Sequence, residues 1–338
     1  MVIAATTLPI IDCGNRSQGR LSLGKEVARA CHEAGMFYLV NHGLSQHLID
    51  ALMFECAQFF HSPEAEKQAI NIKHSKNFRG WGMLKNNRDW REQIHLGVEA
   101  DQPQVADPQA HYWRLWGRNQ WPLTRTTEFK ETTLQYFALV EELSRLLLES
   151  LALELDLKQD FFTCRMLDRP YLLIKAMSYL PQESAQQSTH GSALRPGVTA
   201  HCDWSWLTFL LQDDVGGLEA QDRSGQWHRV QPLPGAIVVN TGELLELETG
   251  GQLRASPHRV VNSRIDRQRF SVPLFVNPAL DSMVYPTEQK EASGLDCPDE
   301  HVHKVIKPGS QPKAFLFGES EWQRKGLGQW CYCKDCLD

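Results

Sequence analysis

Residues 201–212 read His201-Cys-Asp-Trp-Ser-Trp-Leu-Thr-Phe-Leu-Leu-Gln212. The way these side chains divide between two faces decides the reading of the whole chain. In an extended strand, residues i and i+2 share a face. A strand over Val198–Asp203 therefore lets His201 and Asp203 offer an imidazole and a carboxylate to one ion, while Cys202 points away. The same alternation puts Trp204 and Trp206 opposite those two groups unless a bulge intervenes. Leu207–Gln212 follows as a buried strand. Taken alone, a His-any-Asp triplet is more often a packed, hydrogen-bonded histidine than a ligand pair, so the case has to come from the flanking sequence.

Working outward, short apolar runs follow one another: Tyr171–Tyr179, Gly217–Gln221, Ala236–Asn240, residues 258–262 and Arg269–Asn277. Breaks at Asp213-Asp214, Gly216-Gly217, Pro232–Gly235 and Gly250-Gly251 separate them. Many short strands at regular spacing predict a β-sandwich or barrel. The first half is different. Apolar spacing predicts helices over 23–35, over 45–61 with Ser45 as N-cap, and over 125–155, with one short strand at Met36–Val40. Helices first and strands second give an α+β chain with a β core. We read the 338 residues as a single domain: 1–165 mainly helical, 166–280 the core, and 281–338 a C-terminal segment. The polar stretch 182–196 is predicted to be a loop.

Hydrophobic residues make up 42% and charged residues 22%, as in an ordinary folded chain. A formal net charge of −6 suits neither a phosphate-backbone binder nor an anionic membrane surface. No apolar run approaches the ~20 residues of a membrane helix, and the N-terminus lacks a basic, apolar leader. Nine scattered cysteines suggest reduced thiols. The expectation is a cytoplasmic monomer with a small-molecule substrate, no nucleic acid and no membrane. Cys331, Cys333 and Cys336 could bind zinc with His301, His303 or Cys297 as a fourth ligand, but a terminal tail is commonly uncommitted.

His258, in Ala255-Ser-Pro-His-Arg-Val260, opens another predicted strand. Two imidazoles and one carboxylate on one face of a metal are the donor set of mononuclear non-haem Fe(II) oxygenases, and they leave positions open for reactants. A structural zinc site would close its shell. A hydrolytic one would call for a base such as that of the His-Glu-any-any-His motif, which is absent. Eleven residues after His258, Arg269 and Ser271 share a strand face. A guanidinium fork and a hydroxyl suit a carboxylate.

With these residues in place, the chain resembles the isopenicillin N synthase-like branch of the Fe(II)/2-oxoglutarate-dependent oxygenase superfamily. The resemblance spans most of the sequence. It runs through Leu8-Pro-Ile-Ile-Asp12, residues 30–43, Phe59-Phe60, Phe78-Arg-Gly80 and Asn119-Gln-Trp-Pro122. It continues through residues 201–218, Trp227, residues 234–240, Glu246, Gly251, His258-Arg-Val-Val261, Arg269-Phe-Ser271 and Asn277-Pro278. It implies a double-stranded β-helix (jelly-roll) core, with Fe(II) held by His201, Asp203 and His258. It further implies that Arg269 and Ser271 bind the distal carboxylate of 2-oxoglutarate. Before the metal strand, Lys175-Ala-Met-Ser-Tyr-Leu180 departs from the family's Arg-Leu-Asn-any-Tyr-Pro. Tyr179 matches and is a candidate co-substrate ligand, whereas Met177 replaces the Asn.

The implied chemistry consumes O2 and 2-oxoglutarate, releases succinate and CO2, and hydroxylates a small organic substrate. Two other readings stand beside it. One is an isopenicillin N synthase-type oxidase that uses no 2-oxoglutarate; the other is a non-catalytic metal-binding jelly-roll. His42 reads as structural. His95, Trp81, Met83, Trp204, Trp206 and Phe275 are candidate pocket residues, each more often core than pocket.

Overall fold

Two main sheets, a small two-stranded one and a helical layer make up the computed structural model, which describes residues 8–14, 19–86, 88–101, 103, 110–166, 169–181, 196–261, 267–286 and 314–326. Residues 182–195 of the predicted polar loop, Cys297, His301, His303 and the Cys331–Cys336 tail lie outside the described residues.

The helical layer follows the apolar spacing. Helix α1 spans Gly19–Glu33, α2 Gln46–Phe60, α3 Glu64–Ala69 and α4 Thr126–Glu154. The Ser45 side chain accepts from the Leu48 amide at 3.2 Å, the expected N-cap. On α4, Phe129, Tyr136, Phe137, Val140, Leu147 and Leu151 form one buried stripe. It packs closely on α1, where a Cβ on Gly24 would stand 2.1 Å from the Ser150 carbonyl oxygen.

The larger sheet has eight strands. In chain order they are β1 Ile10–Asp12, β2 Met36–Val40, β3 Gly80–Lys85, β4 Trp90–Gly97, β5 Tyr171–Tyr179, β7 Leu207–Gln212, β10 Ile237–Thr241 and β12 Arg269–Asn277. Their spatial order is β1-β2-β10-β7-β12-β5-β4-β3. The smaller sheet places β6 (Pro196–His201), β11 (His258–Val261), β8 (Leu218–Gln221) and β9 (Trp227–Arg229) in that order. Helix α5, Glu243–Glu248, follows β10. Two short strands, β13 Met283–Val284 and β14 Phe315–Leu316, pair just before α6, Phe317–Gly326.

Parity divides the strands. On β5, β7 and β12 the residues Leu172, Ile174, Phe209, Val272, Leu274 and Val276 join the large core beneath the helices. Their alternates face the smaller sheet, where Met36, Tyr38, Tyr179, Val198, Leu218, Val238 and Val260 form a second cluster. This face-to-face pair of sheets is the expected jelly-roll α+β architecture.

Two differences from the expectation have physical causes. The region 1–165 is less helical than its patterning suggests, because β3 and β4 extend the large sheet from the edge of β5. Also, β6 stops at His201 and does not reach Asp203. No helix among the described residues is long and apolar enough to cross a membrane.

Replacing Gly24 by Ala is expected to destabilise the fold by about 1–3 kcal/mol, since the methyl group must displace α4 backbone. Thermal unfolding should show a midpoint lowered by several degrees, and an unchanged midpoint would contradict the α1–α4 contact.

Candidate metal centre and its cavity

The site lies where the smaller sheet meets the larger one. His258 opens β11 directly opposite His201, the last residue of β6, and the ladder shifts register immediately beyond it. The ring centroids are 4.4 Å apart. In each imidazole Nδ1 donates to a carbonyl two residues back: His201 to Thr199 at 2.9 Å and His258 to Ser256 at 2.9 Å. That fixes the tautomer and leaves both Nε2 lone pairs available.

Both Nε2 atoms face Asp203 Oδ1, at 3.6 Å and 3.7 Å. The other oxygen, Oδ2, is already occupied. It accepts from Thr208 Oγ1 at 2.7 Å and from Asn240 Nδ2 at 2.9 Å. Three donor atoms therefore lie within 4.8 Å of one another, each with its outer side satisfied. Burial, with the neighbouring His258 imidazole, lowers the His201 pKa to about 4, so the ring is neutral around pH 7. Burial pushes the Asp203 carboxyl up, but the two imidazoles and the Asn240 and Thr208 hydrogen bonds outweigh it, and the net shift is downward. Two imidazoles and one carboxylate, with no fourth protein donor in the cluster among the described residues, fit an ion such as Fe(II) that keeps open positions.

Asp203 reaches this point because the chain leaves the strand after His201. The Glu243 amide donates to the Asp203 carbonyl at 2.8 Å, and the Gly242 amide to Trp206 at 3.0 Å. A Cβ on Gly242 would lie 2.2 Å from the Ser205 carbonyl oxygen, so only glycine allows the β10–α5 turn this close.

Along β12, Arg269 is buried. Its Nη2 donates to Gln212 Oε1 at 3.1 Å, while Nε and Nη1 have no partner among the described residues. The guanidinium lies 4.7 Å from the Tyr179 ring centroid. Ser271 Oγ donates to the Tyr179 hydroxyl at 3.4 Å, and that hydroxyl donates to Met177 Sδ at 3.1 Å. A buried cation with unmet N–H groups beside two hydroxyls calls for an anion. These residues and the His201–Asp203–His258 cluster line one cavity of about 700 Å³.

The other aromatic candidates separate. Trp204 lines the cavity, against the expectation from alternation, because Asp203 and Trp204 are no longer in the strand. Phe275 lines it too. Trp206 is fully buried and donates to Glu248 Oε2 at 2.7 Å, and buried Trp81 donates to Glu92 Oε2 at 2.9 Å. His95 is buried on β4 and, like Met83, lies off the cavity. His42 accepts from the Leu44 amide, consistent with a structural role. Thr208, Asn240 and Gln212 had no role in the sequence reading, although Thr208 and Asn240 stand at inward positions of legible strands.

Comparison with known proteins decides the family. The N-terminal family of non-haem dioxygenases in morphine synthesis matches residues 8–124, and the 2OG-Fe(II) oxygenase superfamily matches residues 173–278. A Dictyostelium discoideum protein named as an iron/ascorbate oxidoreductase is 34% identical over 88% of this chain and 88% of its own. The 2-oxoglutarate-Fe(II) type oxidoreductase hxnY of Emericella nidulans is 32% identical over 97% and 95%. The chain belongs to the 2-oxoglutarate/Fe(II) oxygenase family. Full-length Neurospora crassa T7H, solved with α-ketoglutarate and thymine, shares the fold, with a TM-score of 0.74 at 20% identity over 94% of this chain and 96% of that one. A Caulobacter crescentus protein of the 2OG-Fe(II) oxygenase family gives a TM-score of 0.73 at 25% identity over 96% and 98%. As a member of this family the chain is an Fe(II)- and 2-oxoglutarate-dependent dioxygenase, and its co-substrates are 2-oxoglutarate and O2. That membership favours the 2-oxoglutarate-dependent reading over the oxidase and the non-catalytic binder.

Asn240→Leu should leave the fold intact and weaken Fe(II) or Co(II) binding by about 10–100-fold, because Asp203 Oδ2 loses a donor that orients it. Metal titration of the purified variant measures this, and wild-type affinity would rule out the orienting role.

Proposed function

We propose that His201, Asp203 and His258 hold the Fe(II), and that Arg269, Ser271 and Tyr179 hold the distal carboxylate of 2-oxoglutarate. The reaction we infer is hydroxylation of a small organic molecule, with release of succinate and CO2. The observation that carries the reading is the convergence of two Nε2 atoms and Asp203 Oδ1 while every outer atom of the set is already bonded.

When bound, iron and 2-oxoglutarate would supply the electrons that reduce and so activate O2. The chain's own residues do the rest. Thr208 and Asn240 keep the Asp203 carboxylate ionised and turned inward. The Thr199 and Ser256 carbonyls hold both imidazoles with Nε2 turned towards Asp203. Arg269 would take one carboxylate oxygen on each unmet N–H edge, with Ser271 and Tyr179 adding hydroxyl donors. Met177, in contact with the Tyr179 hydroxyl, gives that hydroxyl a weak sulfur acceptor in place of an amide. Between the sheets, apolar side chains such as Leu210, Leu218 and Val260 keep bulk water from the reacting centre.

We also read the chain as a single-domain, cytoplasmic monomer that binds no nucleic acid. The support is that strands from both halves share one sheet, that none of the described cysteines is in a disulfide, and that the net charge is −6.

His201→Ala, Asp203→Ala and His258→Ala are each expected to abolish succinate formation while circular dichroism stays native; full turnover in any of them would remove the assignment. Arg269→Ala should raise the 2-oxoglutarate KM by about 10–100-fold, the worth of a charge-assisted pair. An unchanged KM would place the co-substrate carboxylate elsewhere. Anaerobic addition of Fe(II) and then 2-oxoglutarate should produce a weak visible absorbance band only when both are present.

A further inference from the structure

The cavity continues well past the cluster. Strands β5 and β12 lie side by side along it, with Arg269 opposite Tyr179 and Ser271 opposite Met177 at one end, and Phe275 opposite Leu173 and Asn277 opposite Tyr171 at the other. Ser271 and Asn277 are six residue steps apart along β12, about 20 Å. Thr208, which holds Asp203, pairs with Phe275, so the metal cluster abuts the stretch between the two ends. The end remote from Arg269 has no part in the co-substrate reading.

That remote end is cationic and aromatic. Lys175, on the inward face of β5, places Nζ 4.8 Å from the centroid of the Phe275 ring. Across the cavity, α6 contributes Arg324, whose guanidinium lies 5.0 Å from the Trp204 ring and 3.7 Å from the carboxylate of Glu321. All five side chains line the cavity. Among the described residues lining this end, Lys175 and Arg324 are cationic, and Glu321 lies beside Arg324. The unmet buried polar atoms here are mostly donors: Arg324 Nε, Trp204 Nε1 and the Tyr171 hydroxyl, against one acceptor, Asn277 Oδ1.

We propose that this end binds the carboxylate of an organic-acid substrate, with Lys175 and Arg324 as its cationic partners and Phe275 and Trp204 flanking its apolar carbon skeleton. The inference rests on the iron and 2-oxoglutarate reading and adds the substrate class to it. A carboxylate supplies two acceptor oxygens to a donor-rich pocket. A neutral substrate would leave those donors unmet, and an amine would meet like charge. The pairing with Glu321 and the stacking on Trp204 hold the guanidinium in one orientation, so little freedom is lost when an anion arrives. Substrate and co-substrate would then be two carboxylates, each taken by its own arginine at opposite ends of one cavity.

The test uses the full chain loaded anaerobically with Fe(II) and 2-oxoglutarate. Benzoate, phenylacetate, 3-phenylpropanoate and 2-naphthoate are titrated by calorimetry beside their primary amides. At least one acid is expected to bind about tenfold or more tighter than its amide. Lys175→Met and Arg324→Gln should each weaken that acid by about tenfold or more, with 2-oxoglutarate affinity unchanged as the check on folding. The proposal is overturned if amides bind as well as acids, if both variants bind the acids like wild type, or if no acid binds at about 10 mM. Failure of 2-oxoglutarate itself to bind the wild-type protein would instead remove the reading on which the proposal rests.

Discussion

The Asp203 carboxylate turns one oxygen to the two imidazoles while its second oxygen is already bonded. Thr208 and Asn240 come from two neighbouring strands of the large sheet, whereas His201 and His258 come from the smaller one. The single residue Asp203 therefore ties the two layers together at the point of chemistry. An unpaired buried carboxylate would take up a proton and lose its use as a ligand. The surrounding hydrogen bonds keep it charged, and the two imidazoles hold the opposite side of the same group. The jelly-roll supplies rigid strands for all five of these side chains except Asp203 itself, which the Gly242 turn holds from behind.

Much of this was legible in the sequence. Tyr171–Tyr179, Leu207–Gln212 and Arg269–Asn277 form strands with the predicted bounds, because continuous apolar runs between turn residues leave few alternatives. The metal cluster and the arginine were legible as residue types at strand spacing. Strands β3 and β4 were not. Arg91, Glu92, Gln93 and His95 are buried on β4, and their polarity hides the strand from any apolar count. Tertiary partners compensate: Glu92 Oε2 takes Lys67 Nζ at 2.9 Å, and Arg91 Nη1 reaches the Gly197 carbonyl at 2.9 Å. The position of Trp204 was misread for a related reason. Alternation holds only while a strand lasts, and where β6 ends is set by a turn some forty residues later in the chain.

The inner and outer faces of β5 and β12 have separate duties. Outward residues such as Ile174 and Leu274 build the core under the helices, while inward residues meet whatever occupies the cavity. Substituting an inward side chain changes recognition with little effect on the hydrophobic layer that keeps the chain folded. A lineage can therefore move from one substrate to another by point replacement along a fixed strand. Insertion or deletion of one residue within β5 is a different matter. Residues on one side of it would exchange faces, turning cavity side chains such as Tyr179 into the core or core side chains such as Leu172 into the cavity. Change of chemistry is cheap in this scaffold when it proceeds by substitution, and change of length is confined to the loops between strands.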